Sequence, residues 1–217
     1  PQDYGTGVEA RAAPTREGYD FDGWNPAVPE TMPAENITLT AQWKVVEYSI
    51  TYHLDGGTND DANLANYTIE SATITLNAAT KTGYAFDGWY DAVEGGNLVE
   101  SIAKGSTGDK ALYARWTANS YTVTLDAQEG IVTPGSIQVT FDSTYEGLPT
   151  PTRTGHTFEG WFTEKTGGDK VTAGTTVKTA ENHTLYARWT INQYTITFES
   201  TGGSDVAAIT QDYGTAV

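Results

Sequence analysis

The residues of this chain that could take part in chemistry are scattered along the sequence. The three histidines, His53, His156 and His183, fall at different places in the sequence pattern, so we expect no shared metal site. The loop of residues 55–61 carries carboxylate and amide oxygens that Ca²⁺ accepts, but it lacks the ordered spacing of a calcium loop. We therefore predict a solvated turn there, with no metal ion and no other cofactor.

Single carboxylates recur at equivalent positions, as Asp22, Asp87 and Glu159. Glycoside hydrolysis needs two facing carboxyl groups, so one acid per copy indicates a role in stabilising a turn. The absence of cysteine excludes thiolate nucleophiles, thiolate metal sites and disulfides. Arg115 and Arg188 each precede a tryptophan, and strand alternation predicts that they face away from the core and pair with acids. We expect no enzymatic activity.

The composition restricts the partners and the fold class. With 12 basic and 28 acidic residues the formal charge is -16, which disfavours nucleic acids and anionic membrane surfaces. No stretch of about 18 apolar residues occurs, so we predict no membrane insertion in this segment. Thr, Tyr, Val and Ile favour strands and the 23 glycines favour turns. The chain is therefore predicted to be mostly β, and α+β at most.

The element that must position these residues is a repeat. Residues 18–24, 83–89 and 155–161 read GYDFDGW, GYAFDGW and GHTFEGW. Each copy is followed by a second tryptophan in a strand-like run, and the second tryptophans are 73 residues apart. A fixed period of this length indicates a tandem array of small modules. The predicted structural core consists of the tryptophans, which are Trp24, Trp43, Trp89, Trp116, Trp161 and Trp189.

The period divides the chain into four segments. Residues 45–117 and 118–190 are complete repeats, residues 1–44 are the carboxyl part of a repeat, and residues 191–217 are the amino part. In residues 37–43 apolar and polar residues alternate, which predicts the closing strand of the first segment.

The two partial segments match each other. Residues 211–217 nearly copy residues 2–8 at an offset of 209. We expect the carboxyl piece of one copy to complete the amino piece of the next, because an isolated hairpin is marginally stable. A covalent array and a head-to-tail homopolymer of separate chains both remain open. The predicted assembly residues are Gln2, Tyr4, Gly5, Tyr194, Ile196, Phe198, Tyr213 and Gly214.

The combined pattern YTVTF…GG…YG…PTRxGYxFxGW…LYAxW resembles the Listeria–Bacteroides repeat, the B-repeat module of internalin-type surface proteins. The resemblance covers essentially the whole chain. It implies small β-grasp, ubiquitin-like modules strung in tandem on secreted or cell-surface proteins of bacteria and some archaea. It also implies a role in spacing, adhesion or partner contact, with no conserved catalysis. Residues 79–83 read ATKTG where the other copies have Pro-Thr-Arg, and the first copy has a shorter connection between its tryptophans.

The linkers and the tryptophans favour a mechanical role. Four residues separate each closing tryptophan from the next opening tyrosine, which leaves little hinge freedom and predicts a rod or superhelix. The leading hypothesis is an extracellular stalk, fibre or filament. The alternative is an adhesive region that binds a glycan or protein of a host or neighbouring cell, with some tryptophans as sugar-stacking platforms. An accessory segment of a large secreted enzyme is a third possibility.

Overall fold

The computed structural model describes residues 2–9 and 11–217, and these residues form strands and no helix. The chain is mostly β, as its composition predicts. Contacts divide it into two units, one extending to Lys81 and including Phe86–Trp116, the other made of Thr82–Ala85 and Thr117–Val217. The strands, in chain order, are β1 Tyr19–Asn25, β2 Thr40–Val45, β3 Glu47–His53, β4 Asn66–Thr68, β5 Ile74–Thr75, β6 Tyr84–Tyr90, β7 Ser101–Ile102, β8 Lys110–Ala118, β9 Ser120–Asp126, β10 Ser136–Thr140, β11 His156–Phe162, β12 Lys170–Val171, β13 His183–Ile191, β14 Gln193–Ile196 and β15 Ile209–Asp212.

We number the four segments in chain order, so the second repeat is residues 45–117 and the third repeat is residues 118–190. In the second unit, the third repeat forms a five-stranded mixed sheet in the order β10-β9-β13-β11-β12. The opening strand β9 and the closing strand β13 run parallel at its centre, with Leu125 opposite Leu185. The other strand pairs are antiparallel. Because inward residues alternate along each strand, one face of the sheet supplies the core. The most deeply buried side chains of this core are Val123, Val177, Leu185 and Trp161.

The second repeat has the same arrangement with four strands, in the order β4-β3-β8-β6. Its opening strand β3 is parallel to its closing strand β8, and Tyr52 lies opposite Leu112. A separate two-stranded sheet, β5-β7, lies beside it in sequence and pairs Ile74 with Ile102. Ile50, Leu112 and Trp89 belong to the buried cluster of this repeat. Each complete repeat therefore has a core of its own.

The first segment contains an antiparallel pair, β1 with β2. Its closing strand was expected over residues 37–43, but that boundary is wrong, since the strand begins at Thr40. In the third repeat the corresponding first residues of the closing strand, His183–Tyr186, pair with the parallel opening strand β9. No such opening strand precedes β1 among residues 2–9 and 11–18, so residues 37–39 have no backbone partner of that kind.

The last segment consists of the hairpin β14–β15, in which Tyr194 faces Gln211 and Ile196 faces Ile209. Ile196 and Phe198 correspond to Val123 and Leu125 of the third repeat, 73 residues earlier. Val123 and Leu125 are 0 % and 4 % exposed, whereas Ile196 and Phe198 are 43 % and 41 % exposed. The apolar face of this hairpin is therefore open to solvent.

Among the residues that the structure describes, no helix is long and apolar enough to cross a bilayer.

Candidate interaction surfaces

The two tryptophans of each repeat flank one phenylalanine of the sequence motif. In the third repeat the Phe158 ring lies 5.6 Å from the ring of Trp161 and 5.5 Å from that of Trp189. In the second repeat the Phe86 ring is 5.3 Å from that of Trp89 and 5.2 Å from that of Trp116. The Phe158–Trp189 contact is tilted and the other three are edge-to-face, and aromatic pairs of this kind stabilise beyond the area they bury. We call this arrangement the aromatic triad.

Phe21 completes a third triad in the first segment, with centroids 5.3 Å from Trp24 and 5.8 Å from Trp43. The central phenylalanine was not among the predicted core residues. It stands three positions before the first tryptophan in all three copies, and that constant spacing was the available signal.

The two tryptophans differ in burial. Trp89 and Trp161 are 2 % exposed, while Trp24, Trp43, Trp116 and Trp189 are partly buried. The indole N–H of Trp161 donates to the carbonyl of Pro149 at 2.9 Å, and that of Trp89 to Asn77 at 2.8 Å. Because the polar atom of each buried indole has an acceptor, its burial carries no unsatisfied donor.

The closing tryptophans lie over a glycine of the turn that follows the opening strand. A Cβ on Gly130 would stand 2.6 Å from the Trp189 ring and 2.9 Å from the carbonyl oxygen of Thr152. A Cβ on Gly57 would be 2.5 Å from the Trp116 ring. These glycines are therefore required for space, since a side chain there would collide with an indole and with backbone.

A glycine precedes each first tryptophan, as Gly23, Gly88 and Gly160, and this position favours either a bulge or a close backbone approach. Register shifts occur between Phe21 and Trp24 and between Phe158 and Gly160, which confirms the bulge in β1 and β11. Gly160 has φ +148, a backbone conformation that suits glycine. The bulge turns the tryptophan toward the core and the next residue outward.

The outer face of each sheet carries a cation over an aromatic ring. The guanidinium carbon of Arg115 lies 3.7 Å from the Tyr90 ring centroid, and that of Arg188 lies 3.8 Å from that of Phe162. Arg188 also donates to the carbonyl of Glu164 at 3.1 Å, and Arg115 donates to that of Ala92 at 3.3 Å. The expected pairing with an acid is met in part by Arg115, because the Asn97 backbone N–H and, more weakly, the charge of Arg115 hold the pKa of the Asp91 carboxyl below its usual value. The hydrogen bonds of both arginines go to carbonyls of the loop that follows β6 or β11.

The histidines take part in three unrelated contacts. The His53 ring stacks on that of Tyr113 at 4.4 Å, and His183 Nε2 is 2.8 Å from the Tyr145 hydroxyl. His156 lies edge-on to Tyr213 at 6.3 Å. Within residues 2–9 and 11–217, no three His, Asp or Glu side chains form a group that could hold a metal ion.

The acidic loop, residues 55–61, is held by hydrogen bonds within the loop and to the residues that follow it. The Ala62 backbone N–H donates to Asp60 Oδ1 at 2.9 Å, and Asn63 Nδ2 donates to Asn59 Oδ1 at 2.8 Å. Lys81 lies 3.3 Å from Asp55 Oδ2. The motif acid Glu159 accepts a hydrogen bond from the Thr190 hydroxyl across the β11–β13 pair. These oxygens therefore serve local backbone and strand contacts.

A polar side chain joins the start of each closing strand to the opening strand. The Ser49 N–H donates to Asp109 Oδ1 at 2.7 Å, and the Thr122 N–H donates to Asn182 Oδ1 at 2.8 Å. The hydrogen bond from the Ser49 backbone holds the pKa of the Asp109 carboxyl below its usual value. Asp109 and Asn182 are 73 residues apart, so the same position uses a titrating group in one repeat and a neutral one in the next.

The predicted assembly residues lie at the surface. In the first segment Gln2, Tyr4 and Gly5 are exposed, Tyr4 by 78 %, and the Gly5 N–H donates to the Met32 carbonyl at 3.1 Å. In the last segment Tyr194 is 55 % and Tyr213 is 44 % exposed, and their rings are 6.1 Å apart. Gly214 is exposed as well.

Three relatives are similar to this chain in sequence. Internalin H of Listeria monocytogenes is 40 % identical over 146 residues, covering 67 % of this chain and 25 % of the relative. A protein of Evansella cellulosilytica with the provisional name Gly-rich membrane protein is 32 % identical over 227 residues, covering 94 % of this chain and 26 % of the relative. A second protein of that organism, provisionally named a membrane protein, is 29 % identical over 204 residues, covering 88 % and 30 %.

The chain spans about a quarter of the length of these relatives. The profile of the Listeria-Bacteroides repeat domain matches three tandem segments, residues 2–42, 48–115 and 121–188. Each segment contains the phenylalanine and the first tryptophan of one aromatic triad and ends one residue before the second tryptophan. The chain belongs to the Listeria-Bacteroides repeat domain family.

Proposed function

We propose that this chain is a non-enzymatic structural region of a secreted or cell-surface protein of a bacterium or archaeon, in which tandem modules form a stalk or fibre. The observation that carries the proposal is the recurrence of one self-contained core in successive repeats. Each complete repeat buries its own tryptophan and its own parallel strand pair. A module that folds by itself can be multiplied to change length without changing chemistry. The names of the relatives, an internalin and two membrane proteins, support a surface location.

We propose a β-grasp, ubiquitin-like fold for each module. Its support is the mixed sheet with an antiparallel opening hairpin and a central parallel pair, in the order β10-β9-β13-β11. The short, equal linkers support a rod or superhelix of such modules, because four residues leave few orientations between neighbours.

The interactions of the titratable groups support a role without catalysis. The motif acids occur once per module, and that of the third repeat, Glu159, accepts a hydrogen bond from a hydroxyl. Asp60 and Asp109 accept hydrogen bonds from backbone N–H groups, and Asp55 pairs with a lysine. General acid–base chemistry instead needs groups that converge on a substrate position.

We further propose that the partners of this region are other copies of the same repeat, arranged head to tail. Ile196 on β14 and Phe198 just after it are exposed, whereas their counterparts in the third repeat, Val123 and Leu125, are buried on β9 beside the closing strand β13. The closing strand β2 provides the complementary surface in the first segment. A covalent array and a homopolymer of separate chains use the same contacts. A chain of 23.3 kDa that forms filaments without being joined to further repeats would favour the homopolymer.

The alternative is an adhesive region that binds a glycan or protein of a host or neighbouring cell. The aromatic rings of the outer face favour it, since the stacked His53 and Tyr113 could receive a sugar ring. Against it, guanidinium groups lie at 3.7 and 3.8 Å over Tyr90 and Phe162, where a sugar would have to stack. We therefore rank the structural role first.

The two roles differ in how they depend on repeat number. Deleting residues 45–117 removes one period, and the chain is expected to remain folded and displayed. On a cell surface, a gold-labelled epitope beyond the repeats should move closer to the cell by roughly 28 Å, the diameter of a sphere with the size of a 70-residue module. Electron tomography measures this distance. An unchanged distance with loss of cell binding would favour the adhesive role instead.

A further inference from the structure

One contact recurs where each repeat passes into the next. In each case a large apolar side chain of one repeat contacts a glycine of the repeat before it. The apolar residues are spaced 72 residues apart along the chain. In the first unit Ile69 lies on Gly18. In the second unit Phe141 lies on Gly83, and Tyr213 lies on Gly155. The glycines are the first residues of the three sequence motifs, and we call the apolar residues the junction residues.

The glycine is required at these sites for two separate reasons. Gly18, Gly83 and Gly155 have φ of +74, +81 and +69, in the left-handed region that side chains rarely adopt. A Cβ on them would also stand 2.7, 2.4 and 2.1 Å from the junction residue of the same contact. The close approach is therefore possible only because the glycine has no side chain.

The junction residues Ile69 and Phe141 belong to neither of the two buried core clusters, and Tyr213 lies in a hairpin whose apolar face is open. An apolar side chain that supports no core of its own, and instead packs on another repeat, is typical of an interface residue.

A linker residue joins the two sides of each contact through the backbone. Asn119 donates its N–H to the Gly83 carbonyl at 2.9 Å and accepts from the Phe141 N–H at 2.9 Å. Asn192 donates to Gly155 at 2.8 Å and accepts from Tyr213 at 2.8 Å. The N–H of each linker asparagine therefore binds the preceding repeat, and its carbonyl binds the following repeat.

The first junction has the same backbone contact, from the Val46 N–H to the Gly18 carbonyl at 2.9 Å. Here a side-chain hydrogen bond follows, from the Tyr19 hydroxyl to Glu70 at 2.6 Å. In the second unit the Tyr84 hydroxyl donates to Asp142, also at 2.6 Å. The aromatic residue after the glycine thus adds a polar contact beside the apolar one.

We propose that the glycine and its aromatic neighbour form a docking surface whose partner is the junction residue of an adjoining Listeria-Bacteroides repeat, and that this contact locks successive repeats at a fixed angle. Tyr4 occupies the junction position of the first segment, 209 residues before Tyr213, and its side chain is 78 % exposed. The Tyr4 side chain is therefore available to contact the docking surface of another repeat. The proposal rests on these contacts and holds whether the region acts as a stalk or as an adhesin.

The chain has no cysteine, so two engineered cysteines can carry spin labels without competing reactions. Asp22→Cys on β1 and Ala111→Cys on β8 are exposed positions on either side of the first junction. Pulsed electron–electron double resonance on the full chain then gives the distribution of distances between the two spin labels. The informative variants are Ile69→Ala and Gly18→Val. Gly108→Ala is the matched control, because Gly108 has φ +79 but no atom within 4 Å of a Cβ.

A locked junction predicts one narrow distribution for the parent chain, at least a two-fold greater width for Ile69→Ala and Gly18→Val, and no change for Gly108→Ala. Far-UV circular dichroism checks that each variant is folded. Ile69→Ala decides the question if Gly18→Val fails to fold, because Ile69 is outside the core cluster. A parent distribution as broad as that of Ile69→Ala, or an unchanged width in a folded Ile69→Ala chain, would overturn the proposal.

Discussion

Replacing Trp161 with alanine should remove most of the stability of the third repeat. The side chain is 2 % exposed, its N–H bonds to Pro149, and its ring contacts Phe158 at 5.6 Å. A tryptophan buries about 150–250 Å², which at about 25 cal/mol per Å² corresponds to roughly 4–6 kcal/mol before corrections. Residual compactness of the unfolded chain lowers this figure, and measured Trp→Ala losses are about 3–5 kcal/mol. We predict a loss of about 4 kcal/mol.

That loss is large relative to the module. At about 0.05–0.15 kcal/mol per residue, a repeat of about 70 residues has a free energy of unfolding of roughly 4–10 kcal/mol. Trp161→Ala should therefore leave the third repeat marginal or unfolded at 25 °C, while the core of the second repeat, which contains Trp89, persists.

Urea titration, with hydrogen exchange measured by mass spectrometry, follows residues 1–44, 45–117 and 118–190 separately. The matched variant is Trp24→Ala, whose ring belongs to the same kind of aromatic triad but is only partly buried. It should cost less than about 2 kcal/mol, since less apolar surface is lost from the interior. Equal losses for the two variants, or a loss below about 1 kcal/mol for Trp161→Ala, would refute the burial argument.

Three further substitutions test other parts of the structure. Gly130→Ala should destabilise the third repeat by about 1–3 kcal/mol through overpacking, whereas Gly174→Ala, with nothing within 4 Å, should not; equal thermal shifts would contradict this. Phe158→Leu should cost about 1–2 kcal/mol in urea titrations, because one edge-to-face and one tilted ring contact are lost; a neutral effect would contradict the triad. Because the folded-state pKa of Asp109 is lowered from 3.8 by the Ser49 hydrogen bond, its contribution is present above pH 3.8 and is lost as the pH falls through the folded-state pKa. Asp109→Asn should therefore weaken the decrease in the stability of residues 45–117 at acid pH. Hydrogen exchange, corrected for the intrinsic exchange rate at each pH, measures this stability, and an unchanged pH dependence would exclude the role of Asp109.

The repeat pattern made much of this fold predictable. Tryptophan spacing indicated the tandem repeats that the family profile matches, and alternation predicted opening strands such as β3 and β9. The glycine before the first tryptophan indicated the register shifts in β1 and β11. The beginning of β2 was not predictable from alternation, since residues 37–39 have the pattern of a strand but lack the parallel partner that pairs with His183–Tyr186. Local patterns do not report which distant strand supplies the backbone partner.

The surface contacts were harder to predict than the core. Arg115 and Arg188 were assigned the right face of the strand, but charge alone did not predict the ring and carbonyl contacts that both arginines make. Ile69 and Phe141 carried no signal of their own, because an apolar residue at an interface between repeats has the same type as one in a core. The constant spacing of 72 residues between Ile69, Phe141 and Tyr213 is visible only when the repeats are aligned with one another.

The central proposal is that successive, separately folded repeats form an extended array. Small-angle X-ray scattering of the 217-residue chain tests it most directly. Three bodies of roughly 28 Å in line span roughly 85 Å, which gives a radius of gyration of about 25 Å, whereas a single globule of this length has about 17 Å. We predict a value of about 25 Å with a cross-section of one module; a value near 17 Å would contradict the account.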